Sequence, residues 1–90
     1  VDVYPRDQTV PEGSLTVMTC TTKSVPRPAL SWTFNNGEPP PDAVIHNFYE
    51  NSILRLFKTS KSMEGRYTCN AKNKAGDAYS NSILHVLGLF

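Results

Sequence analysis

The chain has 90 residues, of which 39% are apolar and 19% are charged, a composition typical of one soluble globular domain. Nine Lys and Arg residues oppose eight Asp and Glu residues, so the net charge of +1 predicts no nucleic-acid partner and no attraction to an acidic membrane. No apolar run approaches the length of a membrane span, so we expect membrane attachment only through a tether outside this sequence.

Turn signals divide the chain into short segments rich in β-branched and aromatic residues. The turn signals are PEG at 11–13, VPRP at 25–28, NNG at 35–37, PPPD at 39–42 and KAG at 74–76. This spacing predicts an all-β sandwich or barrel of about seven strands. The predicted strands in chain order are edge segments at Val1–Tyr4 and Thr9–Val10, then Leu15–Thr21, Leu30–Phe34, Val44–Phe48, Ser52–Phe57, Gly65–Lys72 and Tyr79–Leu87.

Alternation along these strands predicts which side chains enter the core, because successive residues of a strand point to opposite faces. If Cys20 and Cys69 meet in the core, Trp32 lies beside them, and Tyr67 shares the inward face of Cys69. The Tyr67 hydroxyl can then reach backbone at the preceding corner. The other predicted inward residues are Thr16, Met18, Leu30, Phe34, Leu54, Leu56, Ala71, Leu84 and Val86.

The two cysteines are 49 residues apart, which fits no zinc motif, and His46 and His85 have no partners at metal-ligand spacing. We therefore predict no metal and no cofactor. The remaining choices for Cys20 and Cys69 are two buried free thiols or one long-range disulfide. A cross-link over so large a loop contributes roughly 4 kcal/mol by the loop-entropy model, and it implies an oxidising compartment. We expect the disulfide.

With Cys20, Trp32, Tyr67 and Cys69 in place, the chain resembles an immunoglobulin domain from end to end. Within that family it resembles the I-set (intermediate) type, because of PEG at 11–13, PRP at 26–28 and CNAKNKAG at 69–76. The resemblance implies a two-sheet Greek-key sandwich with an inter-sheet Cys20–Cys69 disulfide and a core signature of Trp32, Leu56 and Tyr67. The span between the cysteines is too short for the two extra strands of a variable domain.

The chain departs from the family pattern at three positions. Met63, followed by Glu64, stands where the family usually has an Asp that caps the corner and pairs with an Arg. Ser24 replaces the Gly usual before the PRP element, and Thr16 takes an inward place that is commonly aliphatic. We therefore expect the usual Asp–Arg pair to be missing. A partly exposed pair contributes less than about 1 kcal/mol, so the fold does not depend on it.

No arrangement of residues supports catalysis, so we predict a binding module rather than an enzyme. The first candidate interface is an outward apolar row on neighbouring strands, formed by Leu15, Val17, Ile53, Arg55 and Phe57. The alternative for this row is a shifted register or a covering loop. The second candidate interface is the outward face of the other sheet, with Thr33, Arg66, Thr68, Tyr79, Ile83 and His85.

Six positive residues between Arg55 and Lys74 suggest a polyanion such as heparan sulfate as a further, weak partner. Arg55 and Arg66 are expected on different sheets, however, which favours a solvated surface over a single basic patch. The six residues are Arg55, Lys58, Lys61, Arg66, Lys72 and Lys74.

We expect residues 1–90 to be one domain of a longer, multidomain cell-surface adhesion or receptor protein. Such a domain lies outside the cell and binds a protein partner, homophilic or heterophilic. Three alternatives stay open. The domain could be an intracellular module of a muscle or cytoskeletal protein with reduced cysteines, a secreted immune or matrix domain that binds polyanions, or a spacer that binds nothing.

Overall fold

The computed structural model describes residues 1–23, 28–48 and 50–88. Within these residues the chain forms eight strands and one 3₁₀ turn at Lys61–Met63. The strands are β1 (Asp2–Tyr4), β2 (Asp7–Pro11), β3 (Thr16–Thr21), β4 (Ala29–Phe34), β5 (Val44–Asn47), β6 (Asn51–Leu56), β7 (Gly65–Asn73) and β8 (Gly76–Leu87). No helix among the described residues is long and apolar enough to cross a membrane.

The described strands form two four-stranded sheets, which confirms the predicted sandwich. Sheet I has the order β1-β3-β6-β5, and all of its pairs are antiparallel. Sheet II has the order β2-β8-β7-β4, in which β2 runs parallel to β8. The N-terminal segment therefore changes sheets between β1 and β2, at Pro5, whose ring removes the N–H that a continuing ladder would need.

Every predicted strand is present, and most of the predicted ends differ from the observed ones by one or two residues. Two differences are informative. Strand β8 begins at Gly76 rather than Tyr79, because the hairpin from β7 pairs Asn73 with Gly76 and the Asn73 side chain accepts hydrogen bonds from the N–H groups of the turn. The tight turn after β4 has Asn35 and Asn36 at positive φ, and Phe34 and Gly37 close it, one residue earlier than the predicted Asn36–Gly37 dipeptide.

The turn predicted at 25–28 lies outside the described residues except for Pro28, and so does Ser24. Residues 35–43 between β4 and β5 hold the turn and the PPPD loop with no further strand. This agrees with a span between the cysteines that is too short for two extra strands.

The core lies between the inward faces of the two sheets, and the predicted alternation is confirmed. Cys20 on β3 and Cys69 on β7 form the disulfide, with their Cα atoms 6.3 Å apart, and Trp32 is buried with them in the same cluster. Leu30 and Phe34 are half-buried at the edge of this core. The other buried apolar members are Val3, Met18, Leu54, Leu56, Met63, Tyr67, Leu84 and Val86.

Two polar pairs are accommodated in the interior because each hydroxyl finds a partner. The Thr59 Oγ1 donates to the Ser14 carbonyl at 2.8 Å, so it accepts from Thr16 Oγ1 at 2.7 Å. This explains how Thr16 occupies an inward place that is commonly aliphatic. In the same way, Trp32 Nε1 donates to Ser52 Oγ at 2.9 Å, and Ser52 donates to Asn47 Oδ1 at 2.6 Å.

The corner before β7 is closed by Tyr67, as predicted. Its hydroxyl donates to the Met63 carbonyl oxygen at 2.7 Å, and the ring packs on Phe34 with ring centroids 4.7 Å apart. Glu64 binds the Val86 N–H at 2.9 Å and the Lys61 ammonium at 3.1 Å. The Val86 hydrogen bond, with a smaller contribution from Lys61, lowers the pKa of Glu64 below its ordinary value. Glu64 thus pairs with Lys61 and ties the corner to β8, whereas the buried Met63 fills the place of the usual Asp.

Gly65, the first residue of β7, lies against the turn that follows β4. Its φ is +150°, and a Cβ added there would lie 2.5 Å from Asn35 Oδ1 and 2.9 Å from a ring carbon of Phe34. Asn35 cannot easily move away, because its Oδ1 accepts from the Arg66 N–H at 2.9 Å and its own N–H donates to the Arg66 carbonyl at 2.8 Å.

We predict that Gly65→Ala destabilises the domain more than Gly76→Ala does. Gly76 has nearly the same φ, +146°, but open space around it, so the two variants share the backbone strain and differ in the contact with Asn35. We expect each to lose about 1–3 kcal/mol from backbone strain, and Gly65→Ala to lose roughly a further 1–3 kcal/mol from overpacking. Urea unfolding of both variants measures the difference, and equal losses would contradict the steric argument.

Tyr67→Phe is expected to lower the free energy of unfolding by about 1–3 kcal/mol at neutral pH, because the buried Met63 carbonyl loses its donor. Burial raises the pKa of the Tyr67 hydroxyl above its ordinary value. Since the unfolded chain then releases this proton more readily, stability is intact below about pH 10 and falls as the pH rises above it.

The Tyr67→Phe variant should show less of this alkaline loss than the wild-type domain. Denaturant unfolding at a series of pH values from neutral to strongly alkaline tests the expectation, with Tyr79→Phe as the control because Tyr79 is 69% exposed. An alkaline loss that is the same with and without the Tyr67 hydroxyl would show that this group is not responsible.

Candidate recognition surfaces

The outward face of sheet I brings the first predicted interface together. The pairing of β3 with β6 runs through six successive pairs without a bulge, from Thr16 opposite Leu56 to Thr21 opposite Asn51. Val17 therefore lies opposite Arg55, and Arg55 lies opposite Val44 of β5. This register places Val17, Ile53 and Arg55 side by side on the outward face, as the sequence predicts.

Among the five predicted residues, exposure is greatest at the end of the row where β3 begins and β6 ends. Leu15 directly precedes β3 and is 55% exposed, and Phe57 directly follows β6 and is 56% exposed. Val17, Ile53 and Arg55 are half-buried between their neighbours on the sheet. None of the five is buried, so no loop or strand of the described chain covers the row.

The structure adds apolar residues to this face that the sequence prediction missed. Strand β1 contributes Tyr4, paired with Thr19, and β5 contributes Val44 and the adjoining Phe48. All three are exposed, and the Phe48 ring stacks on His46, with ring centroids 6.4 Å apart. We define the sheet I face as the following outward residues: Tyr4, Leu15, Val17, Val44, His46, Phe48, Ile53, Arg55 and Phe57.

Arg55 is the charge in the middle of the sheet I face. Among the residues that the structure describes, no carboxylate lies within ion-pair distance of its guanidinium group; the ion pairs found there are Asp2–Arg6, Lys61–Glu64 and Asp7–His85. The half-buried Arg55 is therefore set among apolar side chains, and no carboxylate of the described residues pairs with its charge. Such a group favours a partner that supplies a carboxylate.

The outward face of sheet II contains the residues of the second predicted interface, but it does not bring all of them together. Thr33 on β4 lies opposite Thr68 on β7, and Arg66 lies two residues before Thr68 on the same outward side. Ile83, opposite Arg66, and His85 lie farther along β8, where His85 Nε2 is 3.3 Å from Asp7 Oδ1.

An open hollow of about 400 Å³ lies at the centre of the sheet II face. Its lining residues are Thr33, Asn36, Arg66, Thr68, Asn70, Tyr79 and Asn81. Of the predicted residues, only Thr33, Arg66, Thr68 and Tyr79 belong to it. Asn36, Asn70 and Asn81 were not among the predicted residues, although alternation along β7 and β8 places Asn70 and Asn81 outward.

Side-chain hydrogen bonds hold part of the hollow in place. Thr68 is only 8% exposed and donates from Oγ1 to Asn81 Oδ1 at 2.7 Å. Arg66 Nη2 donates to Asn36 Oδ1 at 2.9 Å across the gap between β7 and the turn after β4. Tyr79, by contrast, is 69% exposed. The hollow thus combines polar side chains that are held by hydrogen bonds with one exposed aromatic residue, Tyr79.

The basic residues are divided between surfaces, as predicted. Arg55 belongs to sheet I, whereas Arg66 and Lys72 lie on sheet II, where Lys72 is paired in register with Asp77. Lys61 is engaged with Glu64 and the Val86 carbonyl. Arg55 and Arg66 therefore do not belong to one basic patch.

The described residues contain no group of three or more His, Cys, Asp or Glu side chains placed to hold a metal ion. Both cysteines are in the disulfide. The sheet I face offers apolar side chains with one cation, and the sheet II hollow offers amides, hydroxyls, a phenol and one cation.

The family model of the immunoglobulin domain matches residues 1–73. With the two-sheet sandwich, the Cys20–Cys69 bridge and the Tyr67 corner in place, the chain belongs to the immunoglobulin domain family.

The chain spans only a small part of the length of the relatives that it matches. Mouse hemicentin-1 is 39% identical over 80 residues, 88% of this chain and 1% of its own length. The mouse basement membrane-specific heparan sulfate proteoglycan core protein is 33% identical over 82 residues, 91% of this chain and 2% of its own length. Among solved structures, a chimeric titin Z1Z2 carrying an exogenous decorin peptide matches with a TM-score of 0.85 and 27% identity, covering 91% of this chain and 86% of that chain.

Proposed function

We propose that this domain is a protein-recognition module, without enzymatic activity, in a cell-surface adhesion or receptor protein. The observation that supports this proposal best is the sheet I face, where exposed apolar side chains surround Arg55. Clustered exposed apolar side chains of this kind are typical of interaction sites rather than of a solvated surface. The disulfide and the core hold the strands rigid, so the face is presented to a partner with little ordering cost.

A protein suits this face better than a lipid surface does. Aromatic residues and Arg are the residue types enriched at protein interfaces, and the face combines Tyr4, Phe48 and Phe57 with Arg55. A guanidinium group in the middle of an apolar patch would be costly against hydrocarbon. Against a protein surface, the same group gains strength from a partner carboxylate while the surrounding rings exclude water.

The charge at the centre favours a different protein over a second copy of this chain. A symmetric pairing of two sheet I faces about an axis near their centres would bring Arg55 of one chain towards Arg55 of the other. Like charges that are brought together and desolvated oppose association. We therefore propose a heterophilic partner that presents an apolar surface with an Asp or Glu side chain opposite Arg55.

The disulfide supports an extracellular location, because such bonds persist in oxidising compartments. The named basement-membrane relative is consistent with that location. The relatives' length supports our proposal that residues 1–90 are one module of a multidomain chain.

The likeness to titin structures favours a second candidate, an intracellular structural module. Thiol labelling of protein isolated from its source without reductant separates the two candidates. Blocked cysteines agree with the cell-surface module, and two labelled thiols would favour the intracellular one.

We predict that introducing two positive charges into the apolar sheet I face weakens partner binding strongly. A multimerised domain carrying Leu15→Lys and Phe57→Lys should bind intact cells that display the partner at least about tenfold more weakly than the wild type does. Leu87→Lys is the matched control, since Leu87 is a similarly exposed leucine, 58%, on the opposite sheet. All three positions are exposed, so the free energy of unfolding should change by less than about 0.5 kcal/mol.

Flow cytometry with the multimerised variants measures the binding, and thermal unfolding checks that each variant is folded. Equal binding by the sheet I double variant and the Leu87→Lys control would refute the sheet I interface. Sedimentation of the isolated domain tests the alternative occupant. Self-association that the sheet I substitutions abolish would show that the partner is a second copy and would overturn the heterophilic proposal.

A further inference from the structure

The hollow on sheet II lies on the opposite side of the sandwich from the sheet I face, and its chemistry is different. Its lining consists of three amide side chains, two hydroxyls, one phenol ring and one guanidinium group, with no aliphatic side chain. We propose that this hollow binds a saccharide residue that carries a carboxylate. This site is separate from the protein interface proposed above, so either can fail without the other.

The amides and hydroxyls of the hollow match the hydroxyl groups of a sugar ring. Each sugar hydroxyl both donates and accepts hydrogen bonds, and an Asn side chain offers two donors and an acceptor within one planar group. Thr68 fixes Asn81 by donating to its Oδ1, and the Nδ2 of Asn81 is left without a hydrogen-bond partner among the described residues. Asn70, on the neighbouring strand, lines the same hollow.

Tyr79 supplies the apolar surface that a sugar also needs. It lies opposite Asn70 in the β7–β8 register, lines the hollow and is 69% exposed. One face of a pyranose ring presents mainly C–H groups, and these pack on a flat aromatic side chain while the equatorial hydroxyls reach the amides beside it. An exposed tyrosine among amides is thus accounted for by a ligand that is apolar on one face and polar at its edge.

Arg66 is the residue from which we infer that the sugar is acidic. Its Nη2 is held by Asn36 Oδ1, and among the described residues no carboxylate forms an ion pair with it. A guanidinium fork binds a carboxylate through two parallel hydrogen bonds. Arg66 is the one charged residue of the lining. A ligand with one carboxylate fits this charge, whereas a densely sulfated chain does not.

Two common sources of such a residue are the uronic acid of an unsulfated glycosaminoglycan and the sialic acid at the end of a glycan. Amide chemical shifts of the ¹⁵N-labelled domain, titrated separately with a hyaluronan tetrasaccharide and with sialyllactose, distinguish these sources. We expect saturable shifts for one of the two ligands, confined to residues of β4, β7 and β8 around the hollow. Lactose, which lacks the carboxylate, should bind at least about tenfold more weakly.

Substitutions at exposed positions test the roles of the ring and the charge. Tyr79→Ala should weaken binding about tenfold or more, whereas Tyr79→Phe, which keeps the ring, should stay within about threefold of the wild type. Arg66→Gln should reduce binding of the acidic sugar to the level of lactose. The Leu15→Lys and Phe57→Lys variant should bind the sugar as the wild type does, because its substitutions lie on sheet I.

The proposal is overturned if neither acidic sugar gives saturable shifts up to about 20 mM, well above the millimolar affinity at which binding free energy is about −4 kcal/mol. It is also overturned if lactose binds equally well, or if Arg66→Gln leaves affinity unchanged. A short Glu-rich peptide that shifts the same resonances as strongly as the sugars would assign the hollow to acidic peptides instead. Heparin that binds far more tightly than the single-carboxylate sugars would assign it to polyanions.

Discussion

The covalent link between β3 and β7 is the constraint on which the rest of this domain depends. Cys20 and Cys69 lie on inner strands of opposite sheets, so their bond fixes the sheets face to face at the centre of the sandwich. Trp32 and Tyr67 fill the space around it, and each polar tip reaches a partner at the edge of the core. A core of this size leaves little apolar area to spare, which makes the cross-link a large fraction of the total stability.

Once the two sheets are fixed, alternation along each strand determines the two outer surfaces. Strand residues that do not enter the core between the sheets lie on one of two outer faces, which share no side chains. Sheet I presents apolar groups around Arg55, and sheet II presents amides and hydroxyls around Arg66. One scaffold thus carries two surfaces of different chemistry, and substitutions on one face can be made with little effect on the other.

The amino-acid sequence predicts the inward residues well, because burial follows the parity of a position within its strand and Cys20 and Cys69 fix that parity. It predicts contacts between strands poorly. The Thr16–Thr59 pair joins residues 43 apart, and nothing local marks Thr59 as the partner that makes an inward threonine acceptable.

The surfaces were predicted only in part for the same reason. Tyr4, Val44 and Phe48 join the sheet I face because β1 and β5 flank β3 and β6, and the hollow gathers side chains from three strands and a turn. Both groupings can be predicted only when the order of the strands in each sheet is known.

The parallel pairing of β2 with β8 has a mechanical consequence. The two strands are paired at five positions, from Asp7 with Ile83 to Pro11 with Leu87, and they point in the same direction. A pull that draws the start of β2 and the end of β8 apart along the strand axis therefore shears this ladder lengthwise. All of its hydrogen bonds then bear the load together, whereas a hairpin pulled at its open end breaks them one after another. Behind the ladder, the Cys20–Cys69 bond limits how far the chain can extend.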